Sequence, residues 1–104
     1  MGERYRVIIS PRTLSDLEGI HGYVEQDSPQ NASAVIRRRM AAVDSLEQLP
    51  HRNEVYRGRR QPSEAVRRMP VPPFLIYYRV DDSERVVDVI TIRHGSRRQP
   101  RRFE

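Results

Sequence analysis

Residues 74–92 read FLIYYRVDDSERVVDVITI, and they carry the strongest structural signal in this 104-residue sequence. Two runs rich in β-branched and aromatic residues, 74–80 and 86–92, flank the polar segment Asp81-Asp82-Ser83-Glu84, which has the length and chemistry of a four-residue hairpin loop. Both runs are apolar at consecutive as well as alternate positions, as is typical of strands that are buried on both faces. We therefore predict a β-hairpin at the centre of a sheet.

Two helical patterns precede the hairpin. Ser10-Pro11 is a typical helix start, because serine caps the first turn and proline lacks only an N–H that would be unpaired there. The same signal recurs at Ser28-Pro29, and the second pattern continues as far as Pro50. A short break between the helices makes them antiparallel neighbours whose apolar stripes face a shared third surface. The first stripe consists of Leu14, Leu17, Ile20 and Val24, with Asp16, Glu18 and Glu25 turned away.

Two weaker strand signals complete the pattern. Residues 4–9 alternate and are β-branched, and residues 65–69 form a short run ended by Pro70, whose missing N–H disfavours a central position. Residues 50–63 show neither the helical nor the strand periodicity of apolar residues, and they are predicted to form an irregular connection. The order β-α-α-β-β-β predicts an α+β fold, in which an antiparallel sheet carries an N-terminal helical hairpin on one face.

The size and composition indicate one small cytoplasmic domain, residues 1–104, that uses no cofactor. The absence of cysteine excludes disulfides, thiolate metal sites and a cysteine nucleophile. No apolar stretch approaches the length that spans a bilayer, and the N-terminus lacks the apolar region of a signal peptide. The sequence contains neither a glycine-rich phosphate loop nor a zinc-protease or EF-hand motif, so we expect no metal.

Positive charge is concentrated in the second half of the chain. Residues 1–50 contain six arginines against seven acidic residues, whereas residues 51–104 contain thirteen against seven, and residues 93–104 form a basic tail. Lysine is absent, so every fixed positive charge is a planar guanidinium suited to phosphate, carboxylate or aromatic partners. Codon preference is a sufficient explanation of the choice of arginine, but the clustering favours an acidic partner.

Arginines on the predicted sheet form one candidate binding cluster. On a short strand Arg67 and Arg68 point to opposite sides, so one of them should face outward beside Arg79 or Arg93. Such a cluster could hold phosphate, hold an acidic helix, or pair internally with Asp88.

A second run of arginines lies on helix two. Arg37, Arg38 and Arg39 spread around the exposed side of that helix, where they form a solvated face or seat an acidic partner segment.

His94 is the histidine with a candidate catalytic role. It ends the last predicted strand beside Arg93, Arg97 and Arg98, and an imidazole among guanidinium groups could act as a neutral base on RNA. The alternative is a hydrogen bond at a strand-end turn.

Several short strings, taken in order, resemble the ParE/RelE toxin superfamily, also labelled plasmid stabilisation proteins. The resemblance covers almost the full chain. It implies a bacterial cytosolic toxin whose antitoxin, resembling ParD or RelB, wraps an acidic C-terminal segment over it. The strings that carry it are DLEGIHGY at 16–23, Ser28-Pro29 with Ala32, residues 46–50, VRRMPV at 66–71, LIYYRV at 75–80 and residues 89–95. The contacts assigned to such an antitoxin are Leu17, Ile20, Val24, Arg37, Arg38, Met40 and Tyr77.

The resemblance leaves the target open between two branches. RelE-like toxins cut mRNA on the ribosome with dispersed basic residues, including an arginine near the start of the third strand and an arginine and a tyrosine beyond the last. Here the first of these positions is Leu75, and residues 93–104 contain no tyrosine. ParE-like toxins lack that set and are described as poisoning DNA gyrase, and His94-Gly95 followed by arginines resembles them more.

The favoured hypothesis is therefore a gyrase inhibitor that acts by docking and makes or breaks no bond. The alternatives are a ribosome-dependent mRNA endoribonuclease that would use His94, Arg97 and Arg98, and a member that binds antitoxin without being toxic. The target contacts predicted from charge clustering are Arg67, Arg68, Arg79, Arg93, Arg97, Arg98, Arg101 and Arg102.

Overall fold

Two helices and five strands make up the described structure, a computed structural model that covers residues 4–27, 32–58 and 64–95. Two short 3₁₀ turns, Ser45–Glu47 and Pro50–Arg52, separate the second helix from the second strand. The main elements are β1 (Arg6–Ile9), α1 (Pro11–Asp27), α2 (Ala32–Asp44), β2 (Val55–Arg57), β3 (Val66–Val71), β4 (Phe74–Asp81) and β5 (Val86–His94).

The strands form one sheet in the order β1-β5-β4-β3-β2. The β4–β5 hairpin occupies the middle of the sheet, as the run of apolar residues predicts, and β2, β3 and β4 are joined by antiparallel pairing. The first strand departs from the expected antiparallel arrangement, because β1 lies parallel to β5 along the edge. The α+β class and the helical hairpin on one face are confirmed.

The predicted irregular connection contains a strand that the sequence pattern does not reveal. β2 is only three residues long, too short for an alternation to be recognised, and it pairs with Val66 and Arg67 alone. The predicted third strand extends through Pro70 to Val71. Proline is tolerated there because Pro70 lies beyond the end of β2 and pairs with Leu75 of β4 only.

The second helix is shorter than its apolar pattern predicts. It ends at Asp44, where the chain tightens into a 3₁₀ turn, and Leu49 then adopts a left-handed conformation with φ 49°. Arg52 stabilises this end of the helix, because its Nη1 donates hydrogen bonds to the carbonyl oxygens of Ser45 and Gln48 at 3.2 and 2.7 Å.

The main core lies between the two helices and one face of the sheet. Leu17, Val43 and Leu46 from the helical layer pack against apolar side chains of β3, β4 and β5, and partly buried residues of β1 complete the cluster. The strand members are Met69, Phe74, Ile76, Tyr78, Val80, Val87, Val89 and Ile92. Leu14, predicted to lie in this stripe, is instead exposed, because it belongs to the first turn of α1 and lies outside the core.

The start of α1 is fixed to β5 by polar contacts at a β-bulge. The register passes from Tyr77 opposite Thr91 to Tyr78 opposite Val89, which leaves Ile90 as the extra residue. Ser10 caps the helix by accepting a hydrogen bond from the Thr13 amide at 3.0 Å, and its hydroxyl donates to the Ile90 carbonyl at 2.8 Å.

Asp16 is predicted to point away from the core, and this expectation is wrong. Its carboxylate accepts hydrogen bonds from the Thr91 hydroxyl at 2.6 Å and from the Ile92 amide at 3.1 Å. The extent of β1 explains the difference, because β1 pairs with β5 only as far as Val89 and leaves the Ile92 N–H for the helix to bind.

Candidate interaction face

The face of the sheet away from the helices, here called the second face, combines arginines with aromatic side chains. Directly opposed residues of antiparallel strands share a face, so the register places Arg68 beside Tyr77, and Leu75 beside Arg93. A small buried cluster of Val66, Tyr77 and Ile90 forms its centre, with Tyr56 and Leu75 packed against it.

Arg68 is the best-defined cation of the second face. Its Nη2 lies 2.6 Å from a carboxylate oxygen of Glu54, and its guanidinium carbon lies 4.8 Å from the centroid of the Tyr56 ring. Arg57 lies near the same ring at 5.3 Å, and the rings of Tyr56 and Tyr77 meet edge to face at 5.1 Å. The arrangement holds a guanidinium in one place by cation–π contact and by charge pairing.

The electrostatics of this cluster favour the ion pair and a neutral phenol. The hydrogen bond that Arg68 donates to the Glu54 carboxylate raises the pKa of Arg68, and burial only partly opposes it. Burial raises the pKa of Tyr77, although the neighbouring Arg68 acts in the other direction. The Nε atoms of Arg68 and Arg93 are buried and have no hydrogen-bond partner among the described residues.

Arg67 points to the opposite face of β3, so the predicted alternation of the two arginines is confirmed. Its Nη1 donates hydrogen bonds to the carbonyl oxygens of Asn53 at 2.7 Å and His51 at 3.1 Å. Arg67 therefore ties the connection before β2 to the sheet, which is a structural role that its charge alone does not indicate.

Arg79 and Asp88 face each other across β4 and β5, as one of the sequence alternatives requires. The Nε of Arg79 also donates to the Glu64 carbonyl at 3.4 Å. This part of the second face is therefore closer to electrical balance than the part around Arg68 and Arg93.

His94 lies at the end of β5 against an aromatic ring. The imidazole meets Phe74 edge to face with 5.3 Å between ring centroids, and the Arg39 guanidinium lies 4.5 Å from the same phenyl ring. The following residue, Gly95, donates its amide hydrogen to the Pro73 carbonyl at 2.8 Å. An added Cβ at Gly95 would lie 3.3 Å from that oxygen, so a side chain there would crowd the turn.

Arg39 differs from its two neighbours on α2. Arg37 and Arg38 are exposed, whereas Arg39 is 3% exposed and its Nη2 donates to the Pro72 carbonyl at 3.4 Å. Burial lowers the pKa of Arg39, and the charge of Arg38 adds to this effect. The expectation that all three arginines lie on the exposed side is corrected, because Phe74 offers one of them an aromatic surface.

Two predicted antitoxin contacts belong to the interior. Leu17 is 8% exposed and Tyr77 is 0% exposed, so neither presents a side chain to a partner of the folded chain. The helical stripe that contains Leu17 packs against the sheet of its own chain, and Tyr77 lies in the small cluster of the second face.

The remaining predicted contacts divide into two groups. Arg37 and Arg38 are exposed and Met40 is half-buried, and their roles stay predictions. The second group lies outside the described residues: the side chains of Ile20 and Val24, and the tail residues Arg97, Arg98, Arg101 and Arg102.

Sequence reasoning missed Glu54 and Tyr56, which hold Arg68. Both come from the segment without periodicity, and only the pairing of β2 with β3 brings them to the arginine. Within residues 4–27, 32–58 and 64–95, the structure contains no group of three or more acidic or histidine side chains that could hold a metal ion. No helix in the same ranges is long and apolar enough to cross a membrane.

Comparison with known sequences identifies one family over most of the chain. Residues 7–99 match the family model described as the ParE toxin of the type II toxin–antitoxin system parDE. The chain is also 35% identical over 92 residues to Toxin RelE2 of Caulobacter vibrioides, an alignment that covers 88% of this chain and 97% of the relative.

Solved structures with the same fold include toxins of both branches. A chain of the chromosomal ParDE system from P. aeruginosa matches with a TM-score of 0.70 at 18% identity, over 88% of this chain and 97% of that one. A chain of the archaeal RelE–RelB complex from Pyrococcus horikoshii OT3 matches with a TM-score of 0.65 at 20% identity, over 91% and 99%. At these identities the likeness establishes the shared fold.

Proposed function

The chain belongs to the ParE toxin family of type II toxin–antitoxin systems, and on that basis we propose that it inhibits DNA gyrase by docking on it in the cytoplasm. The family match over residues 7–99 is the observation that carries this proposal. The protein then acts by occupying a surface of its target, and its own residues break no bond.

The hydrogen-bond and charge partners of the sheet arginines support docking over RNA cleavage. Cleavage of RNA requires cations that are available to stabilise charge on the scissile phosphate. Here the guanidinium of Arg67 is bound to two backbone carbonyls, and that of Arg68 is matched to a carboxylate, the group that a protein surface offers. On the second face Arg79 and Arg93 add positive charge beside Arg68, which suits the docking of an acidic protein surface.

The proposal includes a ParD-like antitoxin that neutralises the protein by forming a complex with it. The P. aeruginosa and Pyrococcus neighbours come from systems that contain a toxin and its antitoxin. An acidic segment that orders on binding would complement a chain with net charge +5.

A RelE-like endoribonuclease is the second candidate function. It is supported by the relative named Toxin RelE2, and by the position of His94 at the end of β5, where an arginine-rich stretch follows in the sequence.

The deciding experiment compares the two targets directly. Purified protein is added to a supercoiling reaction with DNA gyrase, and in parallel to a translation reaction in which mRNA length is followed. We expect loss of supercoiling with intact mRNA, and the same result for His94→Ala. Cleaved mRNA that disappears in the His94→Ala variant would instead establish the nuclease.

A further inference from the structure

The Arg68–Glu54 pair of the second face is fixed on one side and loosely held on the other. Arg68 is positioned by the Tyr56 ring at 4.8 Å and by burial of its Nε, and its side chain is 28% exposed. The Glu54 side chain is 62% exposed and lies just before β2. Within the described residues, Arg68 is the only partner of the Glu54 carboxylate. Arg68 is thus a positioned cation, whereas Glu54 is exposed enough for another carboxylate to displace it.

Charge around this pair is not balanced by Glu54 alone. Arg57 lies over the same tyrosine ring, and Arg93 is close enough to Tyr77 to lower the pKa of its phenol against the larger effect of burial. Among the residues that the structure describes, the guanidinium groups of Arg57, Arg68 and Arg93 therefore share this part of the second face with the carboxylate of Glu54. An additional or replacement anion would be attracted to it.

From these observations we propose that Arg68 binds an acidic side chain of a protein partner. Glu54 occupies this position in the free protein, and the carboxylate of the partner displaces it on binding. The inference goes beyond the proposed function, because it concerns the ligand chemistry of this pair and holds for either target.

A carboxylate fits this receptor better than a phosphate group. The Nη2 of Arg68 already donates to a carboxylate oxygen at 2.6 Å, and burial of Nε leaves only the outer edge of the guanidinium for a ligand. One edge suits a carboxylate, whereas phosphate sites usually surround their ligand with several donors. Because exposed ion pairs are weak, exchanging one carboxylate for another requires little free energy.

Glu54 should lower the apparent affinity of Arg68 for a competing carboxylate. The competitor can bind only to those molecules in which Glu54 has moved away from Arg68. Removing its charge should strengthen binding by about fivefold, the factor expected for a weak, exposed pair.

The test uses the full chain and a fluorescein-labelled peptide of alternating Glu and Ser, with a single-stranded RNA of equal charge as a second probe. Binding is followed by fluorescence anisotropy at low ionic strength. The key variant is Glu54→Gln, and the matched control is Glu84→Gln. This control makes the same charge change at an exposed residue of the β4–β5 loop.

We expect Glu54→Gln to tighten peptide binding about fivefold and Glu84→Gln to change it by less than about twofold. Adding Arg68→Lys to Glu54→Gln should abolish the gain, because lysine keeps the charge but loses the planar contact with Tyr56. Circular dichroism and thermal melting confirm that each variant is folded.

Three outcomes would overturn the proposal. They are equal gains for the two glutamine variants, no gain for Glu54→Gln, and a gain seen with RNA but not with the peptide. Neither gyrase nor the ribosome is present in the assay, so its failure is distinct from failure of the proposed function.

Discussion

The two faces of the sheet are built from the same strands but differ in composition and in their contribution to stability. The helix-covered face is filled by aliphatic and aromatic side chains of the helices and the strands, whereas the second face contains a three-residue cluster with Tyr56, Leu75 and several arginines around it. The adjacent Tyr77 and Tyr78 show the contrast, since one lies in each cluster. One face holds the fold together, and the other combines a small apolar cluster with charged side chains.

The largest difference between the faces should appear when one aliphatic side chain is truncated on each. Ile76 is fully buried in the main core, and Ile76→Ala should cost about 3 kcal/mol because the cavity cannot collapse. Leu75, its half-buried neighbour on the second face, should cost only about 1 kcal/mol when changed to alanine. Urea unfolding of both variants measures the two values. Equal losses would mean that the second face stabilises the fold as strongly as the core.

A smaller effect should come from the hydrogen bonds between the Asp16 carboxylate of α1 and β5. Within the described ranges, no helix is bonded to the second face in this way. Asp16→Ala should lower the free energy of unfolding by about 2 kcal/mol, because it removes the acceptor of the Thr91 hydroxyl and the Ile92 amide. Glu18→Ala, an exposed change on the same helix, serves as the control and should cost under about 0.5 kcal/mol. A loss for Asp16→Ala no larger than that for Glu18→Ala would show that the helix is held by apolar packing alone.

The smallest effect should arise at the rim of the helix-covered face, where the partly buried Tyr5 donates a hydrogen bond to Asp82 at 2.6 Å. This bond, helped by His51, lowers the pKa of Asp82 in the folded state. A carboxyl with a lowered pKa adds stability above its unfolded pKa, about 3.9, and loses it as the pH falls through the folded pKa.

Tyr5→Phe should therefore cost about 0.5 kcal/mol at neutral pH, a value kept small by the solvent exposure of Asp82. The cost should disappear in acid, once the carboxyl is protonated. Thermal melting between neutral pH and about pH 2 measures the difference. A cost that does not change with pH would assign the effect to packing of the ring.

The sequence predicts the helix-covered face better than the second face, and the reason is physical. The continuous apolar runs of β4 and β5 and the periodic stripes of the helices are local signals, so the hairpin and its central place could be predicted from residues 74–92 alone. The contacts of Arg68 depend on a three-residue strand and on cross-strand register, neither of which has a local period. Burial of Arg39 likewise depends on Phe74, which no spacing connects to α2.

The parallel pairing of β1 with β5 also affects how the chain folds. Ser10, at the end of β1, binds a carbonyl of β5 that lies 80 positions later in the sequence. Closing so long a loop is entropically costly and slows folding, so we expect β1 to join the sheet last. On the ribosome, Val7 and Ile9 must wait for nearly the whole domain to be translated before their partner strand exists. A nascent chain therefore completes its sheet only after residues 86–89 have been synthesised, and we expect any growth inhibition to begin after that point.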